Sequence, residues 1–323
     1  MQKPFFSIII PAYNLENYIA AALQSVLVQT FQDFEIIIVD DGSSDETVSI
    51  IQSFHDPRIR LVSQVNGGVS RARNAGMKKA VGAYIAFMDG DDYWYPEHLE
   101  LAADFFNRHP EILAYANRYM RDELEAIPPR PPSYPESIRR LGIRGVLFMN
   151  SSNVILNSSL ASRLPPWEET MPYGEDGLYW TRCMRGTGLI GLGGSVTSIY
   201  RQRASSAMHD EHYQHVSLHS LIAPLLNELE AMKNPKWQFA VHYLVIRELH
   251  PKRLLSLNAE ERISLTGRIR KIMHPCLNRP FLDSYMKACS ARAGMEQSFS
   301  ALMDRTMFSC KWLDRLERMG RSL

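Results

Sequence analysis

Apolar and polar positions alternate along the first 120 residues in blocks that predict a repeat of strand and helix. Phe5 to Ile10 is an apolar, largely β-branched run, the pattern of a strand buried on both faces, and Pro11 is expected to stop it. Leu15, Ile19, Leu23, Val26 and Leu27 then recur at helical spacing, with Asn14 placed to cap that helix. Phe34 to Val39 predicts a second buried strand, followed by Asp40-Asp41-Gly42. Ser43 and Glu46 have the spacing of a capping box for a helix carrying Val48, Ile50 and Ile51. Ile59 to Val62 predicts a third strand, and Gly67-Gly68 opens a helix through Ala80. Ala83 to Met88 predicts a fourth, ending in Asp89-Gly90-Asp91-Asp92, and Pro96 suits the first position of a helix running to about Arg108.

A repeat of this kind builds a mostly parallel sheet covered on both faces, in which ligands bind beyond the carboxyl ends of the strands. Polar clusters stand at those four ends: Ala12-Tyr13-Asn14, Asp40-Asp41-Gly42, Asn66-Gly67-Gly68 and Asp89 to Asp92. A proline-rich stretch at 128–135 reads as a boundary. Short strands and one helix resume over 146–200. From about 207 the pattern is helical, interrupted by Pro235, Pro251 and Pro275.

Composition narrows the function classes. A net charge of +1 over 323 residues carries no nucleic-acid footprint, and 45% hydrophobic with 22% charged residues is ordinary for a globular protein. Cys183, Cys276, Cys289 and Cys310 lack CxxC spacing, which disfavours a zinc cluster or a disulfide framework and suits a reducing compartment. The first apolar run is too short for a signal peptide, and no stretch approaches about 18 uninterrupted apolar residues, so the expected location is cytoplasmic.

Asp89, Asp91 and Asp92 put three carboxylates in four residues. Such like charges repel unless a cation compensates them, and hard oxygen donors around a glycine suit Mg²⁺ or Mn²⁺ shared with substrate phosphates. The same residues also suit a solvated turn that caps the next helix. Asp40 and Asp41 either accept hydrogen bonds from a base or ribose or simply bend the chain. Tyr13 offers a ring on which a base could stack. Arg71, Arg73 and Asn74, after the glycine pair at a helix start, are placed for phosphate. Neither GxGxxG nor a Walker pattern is present.

In chain order, SIIIPAYN (7–14), IIIVDDGSSDET (36–47), NGGVSRARNAG (66–76), AFMDGDDYW (86–94) and GEDGLYWTRC (174–183) together resemble family 2 glycosyltransferases with the GT-A fold. The resemblance covers roughly residues 5–205. It implies an α/β GT-A domain over 1–205, with a nucleotide-sugar half (1–120) and an acceptor half (121–205), followed by a helical region over 206–323. It further implies inverting transfer from a nucleotide sugar, UDP-linked by preference, to a hydroxyl of a saccharide or lipid-linked glycan in surface polysaccharide synthesis. Pro11, Ala12, Tyr13 and Asp41 match the positions that hold the base, with Asn14 and Asp40 beside them. Arg71, Arg73 and Asn74 fall in the segment lining the nucleotide pocket. Asp89 and Asp91, around Gly90, match the DXD metal motif, with Asp92 a further candidate. Asp176 matches the general base, and Glu175 is the second choice.

Further along, Arg201 and Arg203 follow a strand expected near the site and are candidates for the diphosphate. His209, His212, His215 and His219 lie near one helical face, and some GT-A enzymes recruit such a histidine to the metal, which singles out His209. A basic amphipathic helix near Phe308 to Met319 suits a membrane surface, the protein's own core or a second subunit, so peripheral membrane contact and a homo-oligomer both stay open. Two rivals remain at this point: a nucleotidyltransferase, which would show a glycine-rich basic loop where Pro11 to Asn14 stands, and a nucleotide- or glycan-binding protein without catalysis.

Overall fold

A computed structural model describes residues 3–123, 126–133, 135–139, 149–202 and 223–228. The first half follows the predicted repeat: β1 (Phe6–Ala12), α1 (Ile19–Leu27), β2 (Phe34–Asp40), α2 (Thr47–Gln52), β3 (Ile59–Ser63), α3 (Val69–Met77), β4 (Tyr84–Phe87), a two-residue β5 (Tyr93–Trp94) and α4 (His98–Arg108). The second half supplies β6 (Ala114–Asp122), β7 (Ser137–Arg139), β8 (Val154–Asn157), a single turn α5 (Ser158–Ala161), α6 (Glu175–Thr187) and β9 (Ile190–Arg201). All described strands join one sheet in the order β3-β2-β1-β4-β8-β6-β9-β5, with β7 against β9. The parallel quartet β3-β2-β1-β4 continues across the antiparallel strand β8 into the parallel pair β6 and β9. The proline-rich stretch lies between β6 and β7, and both strands pair with β9.

Both faces of β1 are buried, which is why it reads as an apolar run broken only by Ser7, whose hydroxyl donates to Glu35 Oε1 at 2.6 Å. Ile8 and Ile10 pack with Leu23, Val26 and Leu99 beneath α1 and α4. Ile9 points the other way, into the cluster of Phe87, Trp167, Tyr179 and Trp180 that carries α6.

Several local expectations are corrected. Pro11 does not stop β1. It pairs in register with Val39. Its missing N–H faces the side of β4, which has already ended at Phe87, so no ladder bond is lost. Asn14 does not cap α1, which begins at Ile19 without a side-chain cap. Its Oδ1 instead accepts the Ser44 N–H at 2.9 Å, and its own N–H donates to Ser43 Oγ, stitching the loop after β1 to the loop after β2. Ser43 is thereby drawn away from any capping box. Asp45 accepts the Thr47 N–H at the start of α2. Pro96 precedes α4 by two residues, and its carbonyl accepts the Thr30 N–H.

Candidate active site

The carboxyl ends of β1, β2 and β4 bring the predicted clusters to one edge of the sheet. Asp41 is buried there and accepts from Gln64 Nε2 at 2.7 Å, Gly67 N–H at 3.0 Å and Gly68 N–H at 2.7 Å. A carboxylate so surrounded organises the loop after β3 and sets the start of α3. Gly68 is needed there for its φ of 89°. Asp40, equally buried, accepts the Ser43 N–H through Oδ1. Pro11 and Ala12 form the buried floor beside them, while the Tyr13 ring is 49% exposed above it. The exposed side chain of Arg71 lies across Gly67, where a Cβ would meet its Cδ at 2.3 Å.

The acidic turn after β4 is held by residues distant in sequence. Gly90 fits against Pro11 and Leu15 so closely that a Cβ would meet Leu15 Cδ1 at 2.7 Å. The Ser152 hydroxyl accepts the Asp89 N–H at 3.0 Å and donates to Asp92 Oδ2 at 2.5 Å. The other Asp92 oxygen accepts the Arg201 N–H at 2.9 Å. Asp92 is therefore an interior group with both oxygens engaged. Burial, with Asp91 and Asp89 nearby, holds it well above the usual carboxylate range. Arg201 closes the turn from β9, its Nε donating to the Asp91 carbonyl at 2.8 Å and its guanidinium 5.2 Å from the Tyr18 ring. Asp89 and Asp91 are half-buried.

Arg73 links this turn to α6. Nη2 donates to Asp89 Oδ1 at 2.7 Å and Nη1 to Glu175 Oε1 at 2.9 Å. Burial works to lower the guanidinium's pKa, and the two carboxylates more than reverse it, leaving it raised. Asn74, next on α3, does not reach the strand ends. Its Nδ2 donates to the Trp167 carbonyl and to Glu169, and its Oδ1 accepts the Trp167 N–H. Glu175 and Asp176 open α6 after Gly174, which stands at φ 76°. Burial pushes Glu175 up to about 7, with Arg73 holding it down and Asp176 adding to the rise. Asp176 is only half-buried, and its Oδ1 accepts the Gly177 N–H at 2.6 Å.

The turn after β4, α3 and α6 thus bring Asp89, Arg73 and Glu175 into contact, with Asp91 and Asp176 beside them in sequence. Ser152, Trp167 and Gln64 were not singled out from sequence. Ser152 sits in a short polar loop with no motif, and Trp167 offers only the signal of an aromatic residue after a proline pair. Arg203, His209, His212, His215, His219 and the 308–319 helix lie outside the described residues, as does the helical region expected from 206 onward apart from 223–228. Among the described residues no group of three or more acidic, His or Cys side chains is arranged to hold a metal by itself, and no helix is long and apolar enough to cross a membrane. The carboxylates around Gly90 are nevertheless hard oxygen donors of the kind that hold Mg²⁺ or Mn²⁺ jointly with substrate phosphates.

Known proteins extend the comparison. The family described as Glycosyl transferase family 2 matches residues 7–162. UDP-Glc:alpha-D-GlcNAc-diphosphoundecaprenol beta-1,3-glucosyltransferase WfgD of Escherichia coli is 31% identical over 212 residues, 64% of this chain and 80% of WfgD. Other curated relatives match over only 11% to 59% of their own length. S. aureus TarS 1–349 in complex with UDP-GlcNAc superposes with a TM-score of 0.66 at 22% identity, covering 84% of this chain and 82% of that one. The mannosyltransferase PcManGT from Pyrobaculum calidifontis, in complex with GDP-Man and Mn²⁺, gives 0.54 at 14% identity, covering 90% and 87%. At these identities the two structures attest the shared α/β fold, while WfgD and the family match carry the relationship and set the nucleotidyltransferase alternative aside. With its acidic turn and its Glu-Asp pair brought to one sheet edge, the chain belongs to glycosyltransferase family 2.

Proposed function

We propose that the protein transfers a sugar, with inversion, from a UDP-sugar to a hydroxyl of a lipid-linked glycan during surface polysaccharide synthesis, using Mn²⁺ or Mg²⁺. The observation that carries this reading is the meeting of the Asp89–Asp91 turn with the Glu175–Asp176 turn at the sheet edge, through Arg73. The choice of donor and acceptor follows WfgD, whose name specifies UDP-Glc and a GlcNAc-diphosphoundecaprenol acceptor. TarS in complex with UDP-GlcNAc supports the same nucleotide.

In this reading the base rests on Pro11 and Ala12 against Tyr13, with Asp40, Asp41 and Asn14 shaping the pocket wall, and Arg71 and Arg201 reach the diphosphate. Asp91 and Asp89 would hold the divalent cation, which when bound would offset charge on the departing diphosphate. Asp92, committed to Ser152 and Arg201, positions the turn and is set aside as a metal ligand. Asp176, the more open of the α6 pair, takes the proton from the acceptor hydroxyl as that oxygen bonds to the anomeric carbon. The bond from that carbon to the UDP oxygen breaks on the opposite face, and its electron pair leaves with UDP. The catalytic domain spans 1–205, with its acceptor side in 121–205. The undecaprenyl-type acceptor brings the protein to the inner face of the plasma membrane.

Calorimetric titration of UDP, GDP and TDP, each with Mn²⁺ and with chelator, tests the reading on wild type and Asp91→Ala. Metal-dependent binding of UDP that disappears in the variant is the expected result. A folded protein that binds none of the three removes the donor site and leaves a glycan-binding protein as the better description.

A further inference from the structure

Arg73 sits in the segment that the family resemblance assigns to the nucleotide pocket, yet its surroundings are those of an interior charge. Its side chain is 4% exposed. Two of its nitrogens serve carboxylates from different parts of the chain, and its Nε has no partner among the described residues. The guanidinium lies 4.4 Å from the centroid of the Trp167 ring, which is itself stacked on Tyr179 of α6 at 4.0 Å and 8°. Asn74 clamps the backbone of Trp167 on both its N–H and its carbonyl. One cation is thus packed over an aromatic face and shared by two acids, in a place where its planar fork cannot rotate away.

We propose that Arg73 is a positioning residue that sets the Glu175–Asp176 turn relative to Asp89, and that it does not bind the nucleotide. The inference rests on the transferase reading above, because its consequence is a loss in the chemical step. With Arg73 neutralised, Glu175 becomes a buried carboxylate without its partner, an arrangement that costs far more than removing both members of a pair. The α6 start then shifts to relieve it and carries Asp176 off line. Replacing Glu175 as well removes that cost. The signature is therefore rescue of one lesion by a second.

The test compares wild type, R73K, R73M, E175Q and R73M/E175Q. It reads UDP release from UDP-glucose, UDP-galactose and UDP-N-acetylglucosamine, with and without GlcNAc-diphosphoundecaprenol, together with thermal unfolding. The expected result is a fall in kcat of at least a hundredfold in R73M at about the wild-type donor KM, and recovery of at least tenfold in R73M/E175Q, with R73K between. Donor KM raised tenfold in R73M with kcat kept would make Arg73 a nucleotide ligand and overturn the proposal. So would a double variant no faster than R73M. If wild type releases no UDP from any donor, it is the transferase reading that fails. The unfolding midpoints then decide the clamp: R73M/E175Q should regain at least half of the midpoint lost in R73M, and additive losses would refute it.

Discussion

The side of the site proposed to hold the nucleotide and the side proposed to carry the general base are built by different means. On the nucleotide side, carboxylates and amides of successive loops satisfy one another: Asp41 takes the Gly67 and Gly68 amides, Asn14 the Ser44 amide, and Asp45 the Glu16 amide, all between residues 26 to 30 apart. On the base side the contacts are made by side chains, most of them from remote parts of the chain. Arg73 reaches Glu175 over 102 residues, Asn74 reaches Trp167 over 93, and Arg182 reaches Glu228 over 46. A strand end followed by a turn is a local arrangement that main-chain groups can hold. A helix that arrives from elsewhere in the chain needs charges and rings to locate it. The nucleotide side should therefore tolerate changes on the base side, whereas the base side depends on α3, which belongs to the nucleotide half.

The sharpest way to break this comparison is Asp176→Asn. Turnover should fall about 10²- to 10⁴-fold, the usual range for a positioned proton acceptor, while calorimetry finds UDP affinity unchanged. Loss of UDP binding together with turnover would show that the two sides are not separable. Next comes Asp41→Ala, which strands two loop amides and should cost about 2–3 kcal/mol in denaturant unfolding, the scale of charge-assisted hydrogen bonds, as well as weakening UDP. A stability change within experimental error would mean that the loop after β3 does not depend on that carboxylate.

A pH effect belongs to the start of α4, where it packs on β9. His98 is fully buried, stacked on Trp94 at 4.1 Å, with Nδ1 2.9 Å from Thr197 Oγ1 and with Asn117 donating to its carbonyl. Burial pushes its pKa down to about 3 from 6.5. The folded state thus withholds a proton that the unfolded chain takes up. Its contribution to stability is complete above pH 6.5 and is lost as pH falls toward 3. His98→Gln should flatten the decline of the unfolding midpoint between pH 6.5 and 4, even if the midpoint itself is lower. An unchanged slope would assign acid sensitivity to other groups. The smallest expected effect is at Tyr13. If its exposed ring only stacks on the base, Tyr13→Ala should weaken UDP by about 1 kcal/mol, less than tenfold, with kcat retained.

Legibility followed the same division. The runs of β1, β2 and β4 are legible because strands buried on both faces are apolar at nearly every position, with Ser7 and Glu35 satisfying each other. The acidic and glycine clusters at their ends were visible because each is contiguous. Helix starts were read less well. Asn14 and Ser43 look like caps in isolation, but each satisfies the other loop once β1 and β2 lie side by side, and that competition cannot be seen one segment at a time.

The family resemblance supplied the pairing of an acidic turn with a distant Glu-Asp motif; from residue order alone came the strand–helix repeat and the four polar strand ends. Those features depend on spacing within a few residues, where periodicity and turn chemistry act. Tertiary structure decided which acids are buried and which partners they meet. Asp92 and Asp91 are neighbours with the same side chain, yet Ser152 and the end of β9 bury Asp92 and leave Asp91 half-buried. Glu175 and Asp176 differ in the same way: Glu175 is buried and paired with Arg73, and Asp176 is half-buried. Burial and partner charge set a carboxylate's chemistry, and both are supplied here by residues tens to a hundred positions away.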